Sequence, residues 1–260
     1  MSLLRKGNDF FTEVALGNVG GHSLFHKFGS GNVGTTLVPV ATALVYRTPI
    51  APVSLEFVSS SASDALNSTG AFEITFIGLD ANWAEQTVVM AAHATNGTTA
   101  VAITGTWLRL YRWYVSQSGA YATQSVGSHV GTLTARVAGA GETWSQINIL
   151  PFPMGQSEIG IYTIPLGKTA YLLSKDILVD GTKEANVVLF QRPLANDVTT
   201  PFTGALRVIE HEVGISKSYS KTYVSPRGPY VGPCDIGFMA SIATGNSEIS
   251  VEFELLLVDT

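Results

Sequence analysis

A chain of 260 residues is long enough for one large β domain or two small ones, and either can bury a substantial core. Charged residues make up only 13%, against the usual ~25%, and 15 Lys and Arg against 20 Asp and Glu leave a net charge of −5. No basic cluster interleaves with aromatics, which argues against packing on nucleic acid, and the single cysteine, Cys234, excludes an intrachain disulfide and a cysteine zinc site.

A lone soluble monomer normally carries more charge than this, so the composition favours a surface covered by further copies of the chain or by a partner. Arg5 and Lys6 are followed by no apolar stretch of signal-peptide length. No run approaches the 18 or so apolar residues of a membrane helix. Neither secretion nor a membrane is therefore expected, and folding in a reducing cytoplasm suits the lack of disulfides.

Residues 1–35 contain Gly-Asn-Val-Gly twice, at 17–20 and 31–34, and several aromatics without a sustained period. They read as an extended arm lying along a neighbouring subunit or along a larger particle that carries the chain. Phe10, Phe11, Phe25 and Phe28 are its candidate assembly contacts. The arm and a first edge strand fill residues 1–49, with Pro39 placed at an edge or bulge. A first β lobe is expected over 50–150 and a second over 151–260, with interleaving of both in one sandwich left open.

In the first lobe Val53, Leu55 and Phe57 alternate with polar residues, as do Phe72, Ile74 and Phe76, which marks half-buried strands. Asn96-Gly97 reads as a tight hairpin turn. Arg109 and Arg112 interrupt the apolar run 108–115 and read as surface or cation–π arginines. A Gly/Ser-rich connector covers 116–128, and Pro151-Phe152-Pro153-Met154-Gly155 marks the boundary between the lobes.

Strands follow over 158–164, 169–179, 185–190, 205–213, 218–224 and 235–242, with Asp180-Gly181 as a second hairpin dipeptide. The last run is the cleanest. Ile249, Val251, Phe253, Leu255 and Leu257 share one face, while the other begins polar and ends in Leu256 and Val258. No stretch gives a capped apolar stripe of helical period. The fold class is all-β: an antiparallel β-sandwich, jelly-roll-like, in one or two lobes.

The chemistry-bearing residues form no catalytic set. The G-x-G-x-x-G at 29–34 precedes a β-prone segment rather than a helix, the wrong context for a dinucleotide. His22 and His26 lie among glycines and lack a third ligand. Glu210 and Glu212 alternate with His211, so the strand sends both carboxylates to one face and the imidazole to the other. Asp80 reads as a turn residue bonding its own backbone. Cys234 reads as a buried thiol. No cofactor, metal site or enzymatic activity is expected.

The segments STGAFEITFIGLD (68–80), NGTTAVAI (96–103), LRLYRWYV (108–115), VGTLTAR (130–136), IPLGKTAYLLSKDILV (164–179) and VEFELLLVD (251–259) resemble a pattern in structural proteins of marine tailed phages, cyanophages especially. The likeness spans roughly residues 50–260 and consists of turn glycines and core strands, with no catalytic signature. It implies a virion component: first a capsid decoration or cement protein, packed as a homo-oligomer, with a trimer as the guess, on the major capsid protein or other virion proteins. The alternative it leaves is a tail, fibre or baseplate component binding host-surface glycans, for which Trp83, Trp107, Trp113 and Trp144 could supply stacking faces.

Overall fold

The computed structural model describes residues 9–119, 127–150 and 153–260. Arg5, Lys6, the middle of the Gly/Ser-rich connector and Pro151-Phe152 of the expected lobe boundary lie outside the described residues. In chain order the first elements are α1 (Phe10–Ala15), β1 (His22–Val33), β2 (Val38–Pro39), β3 (Val53–Ser59) and β4 (Ala71–Leu79). Then come β5 (Glu85–Ala91), β6 (Val101–Trp107), β7 (Arg109–Ser118), β8 (Leu133–Val137) and β9 (Thr143–Ile147). The remainder holds β10 (Ile161–Ile164), β11 (Lys168–Val179), β12 (Ala185–Arg192), β13 (Arg207–Ile215), β14 (Ser218–Val231), β15 (Cys234–Ile242) and β16 (Ser247–Asp259). The architecture is thus nearly all β. The one helix among the described residues, missed by the sequence reading, is too short to show a period, and the Asp9 carboxylate caps it by accepting from the Thr12 backbone N–H at 3.2 Å.

The chain divides into two compact units: one comprises residues up to 28, 33–37 and 160–260, the other residues 29–32 and 38–159. In the first unit the strand orders are β1-β16-β11-β14 and β10-β15-β12-β13. From β1, then β10 to β16, the chain changes sheet at every connection except the β12–β13 hairpin. That connectivity is a double Greek key, the jelly roll, and the second unit is inserted between its first two strands. Segment 22–33, read from sequence as part of an arm, is extended, and it pairs with β16 of its own chain.

The jelly-roll core follows from alternation. Ile249, Val251, Phe253, Leu255 and Leu257 are all buried, Glu252 and Glu254 are exposed, and Leu256 is buried at the far end, as the pattern predicts. Phe238 of β15 packs on Phe253 with ring centroids 5.6 Å apart. Asp180-Gly181 does not close a hairpin: β11 and β12 belong to different sheets, and Asp180 instead accepts from the Thr182 N–H in a local turn. Cys234 is buried, and burial pushes its thiol up to about 12, so it stays protonated.

The second unit contains the sheets β6-β3-β8-β9 and β5-β4-β7. Leu55, Phe57, Ile74, Phe76, Trp107 and Trp113 anchor its core, and Phe76 stacks on Trp113 at 5.4 Å. Asn96-Gly97 also closes no hairpin, because β5 pairs with β4 and β6 pairs with β3. Glycine is needed there for another reason: a Cβ on Gly97 would lie 2.3 Å from the Asp64 carbonyl oxygen and 2.4 Å from that of Ser61. Arg109 is buried with its guanidinium 4.9 Å from the Trp83 ring, so it is an interior cation–π pair rather than a surface arginine. Asp80 bonds its own turn, accepting from the Asn82 and Ala84 N–H groups.

A buried carboxylate ties the loops of this unit together. Asp64 accepts from the Ser59 hydroxyl at 2.5 Å, from the Ala71 and Val130 N–H groups at 2.9 Å, and from the Gly131 N–H at 2.8 Å. Beside it His129 is wholly buried, with Nδ1 2.8 Å from the Gly131 carbonyl oxygen. A carbonyl only accepts, so Nδ1 carries the proton. Nε2 is buried with no hydrogen-bond partner among the described residues. Desolvation lowers the His129 pKa, more than the contact with Gly131 and the Asp64 charge raise it.

Candidate assembly surface

Strands β13 and β14 lie at the ends of their two sheets, so each is paired along one side only. Alternation turns Glu210 and Glu212 to the same side of β13, as the sequence reading expected, but that side is not simply solvated. It meets Lys175 of β11, whose side chain is completely buried and whose ammonium lies 2.7 Å from Glu210 and 2.9 Å from Glu212. Glu210 also receives Lys221 at 3.1 Å, Arg227 at 2.9 Å and the Tyr223 hydroxyl at 2.9 Å, all from β14. Burial opposes ionisation of Glu210, but the Lys175 ammonium, the Tyr223 hydroxyl and Lys221 outweigh it and hold its pKa at about 2. The same burial and the Glu210 charge push the Tyr223 phenol up. These are stable ion pairs joining one sheet to the other, with each carboxylate already engaged.

Outside this ionic clasp the surface turns apolar. Opposite the single residue between Leu172 and Ser174 of β11, β14 places the four residues between Thr222 and Arg227. The surplus swings outward as a bulge, and Val224 at its tip is 104% exposed relative to a free residue. Leu206, Val208, Val213 and Val231 are exposed on the same two strands or at their margins. Of the seventeen large apolar side chains exposed among the described residues, eight fall within residues 194–231. An open cleft of about 550 Å³ runs between β13 and the bulged half of β14, lined by Arg207, Arg227, Pro226, Pro229 and Tyr230 among others.

The residues singled out from sequence lie elsewhere. Phe10 and Phe11 of α1 contact each other edge to face at 5.4 Å, and Phe10 meets His22 at 5.9 Å. Phe25 stacks on Tyr162 at 4.1 Å, and Phe28 lies 5.9 Å from His26. All four are half-buried. His22 bonds the Gly20 carbonyl and His26 pairs with Glu252, so the two histidines have separate partners. No group of three or more His, Cys, Asp or Glu that could hold a metal occurs among the described residues. Within the same residues, no helix is long and apolar enough to cross a membrane. Trp107, Trp113 and Trp144 are buried, and Trp83 lies under Arg109. The β13–β14 surface escaped the sequence reading because Lys175 is 35 residues from Glu210; only the shared face of Glu210 and Glu212 hinted at it.

No family model and no curated protein sequence matches the chain. Among solved structures it is similar to infectious bursal disease virus, Gx strain, at 8% identity and a TM-score of 0.25 over 91% of this chain and 70% of that one. The VP2 subviral particle of the same virus gives 9% identity and a TM-score of 0.19 over 92% and 76%.

Proposed function

We propose that the chain is a structural protein of a virion, acting without catalysis, and that within a tailed phage it decorates or cements the capsid. Five large apolar side chains exposed on β13, on β14 or at their margins, Leu206, Val208, Val213, Val224 and Val231, carry this reading, because exposed apolar surface on a sparsely charged chain fits burial against other copies or a partner. The resemblance of residues 50–260 to marine phage structural proteins adds the context. Burial of that edge contributes roughly 25 cal/mol per Å² before the ordering costs of association are subtracted. The fibre reading would need tryptophan faces for sugar stacking, and three of the four tryptophans are core residues.

The test adds purified chain to emptied phage heads and measures copies bound and the temperature at which heads rupture. Many copies per head and a higher rupture temperature are expected. Fluorescent label confined to the tail of intact virions would overturn the capsid assignment.

A further inference from the structure

A second patch on the same jelly roll complements the β13–β14 edge. The outward faces of β11 and β16 carry Asp176, Glu252 and Glu254. Asp176 and Glu252 stand directly opposite each other in the pairing register. Like charges in that relation destabilise a sheet, and among the described residues the ion-pair partner of Glu252 is His26 at 3.4 Å. On the β13–β14 edge the imbalance is reversed: Arg207 is exposed in the cleft and makes no ion pair among the described residues. Arg227 beside it is still 45% exposed after pairing with Glu210. Each patch carries the charge the other lacks.

We propose that the β13–β14 edge of one copy docks on the β11–β16 outer face of a second copy, with Arg207 and Arg227 meeting Asp176, Glu252 and Glu254. The Val224 bulge and the exposed valines of β13 and β14 lose water in the contact. Bulges and prolines such as Pro226 and Pro229 spoil an edge for strand addition, so the contact is made through side chains. The two patches differ, so the contact is head to tail and closes as a ring when the rotation between copies permits. This inference rests on the structural role proposed above and names the surface through which copies meet.

Sedimentation of the full chain across a concentration series, at low and high salt, tests it. The wild type should self-associate, less so at 0.5 M than at about 0.05 M salt, since exposed charge pairs are screened. Arg207→Glu should weaken association about tenfold or more, with an unchanged far-UV spectrum and melting temperature because Arg207 is exposed. Glu254→Arg should do the same, and the double variant R207E/E254R should recover association. A wild type that stays monomeric, an R207E variant that associates as well as wild type, or a double variant that fails to recover would each overturn the inference. A monomeric wild type that still saturates emptied heads would overturn it while leaving the structural role standing, whereas absence of the protein from virions would remove that role itself.

Discussion

The Asp64 carboxylate takes four hydrogen bonds, and three of its donors are backbone N–H groups brought together from β4 and from the loop before β8. Replacing it with alanine leaves those donors buried and unpaired, at about 1–3 kcal/mol each. Asp64→Ala should therefore lower the unfolding free energy by about 3 kcal/mol or more, read from urea denaturation. His129 next to it sets a pH dependence. Its pKa lies below the ordinary 6.5 in the folded state, so above pH 6.5 folded and unfolded forms are both neutral and nothing is lost. As pH falls below 6.5 the unfolded state takes up the proton first, and stability drops until the folded-state pKa is passed. A His129→Gln variant should lose this slope between pH 7 and 5, even if its stability at neutral pH is lower.

Between elements, close approach of backbone decides more than turn type. Gly97→Ala should destabilise by at least about 2 kcal/mol in thermal melts, because the Cβ would strike two carbonyl oxygens of the 61–64 loop and backbone cannot step aside cheaply. The dipeptides Asn96-Gly97 and Asp180-Gly181 marked real breaks in the strand pattern, but both precede strands of another sheet. Local sequence reports that the chain turns; it does not report which strand it joins next. Strand β16 was legible almost residue by residue, since alternation is a local property. The clasp was not: Glu210 and Glu212 were placed on one face, while their buried partner Lys175 sits in a run, LLSKDILV, that gives no sign of an interior cation. Lys175→Met strands Glu212 without its ammonium and should cost about 3 kcal/mol or more in urea titrations.

Across the whole molecule, the two units lose stability to acid in different windows. The second unit holds His129 and weakens below pH 6.5. The first holds Glu210, whose pKa is depressed from 4.5 to about 2; its contribution is present above pH 4.5 and is lost as pH falls toward 2. All four tryptophans lie in the second unit. Tryptophan emission should thus shift at a higher pH than the pH at which the remaining β signal collapses in far-UV circular dichroism; coincident transitions would refute this separation.

The jelly roll begins with β1 and ends with β16, and these two strands are neighbours in one sheet, where the Asp259 N–H reaches the Gly21 carbonyl at 2.8 Å. A ribosome releases β1 early and β16 last, so the inserted unit has every strand it needs while the jelly roll still waits for its closing one. The outer face that carries Glu252 and Glu254 is complete only after β16 has emerged and zipped between β1 and β11.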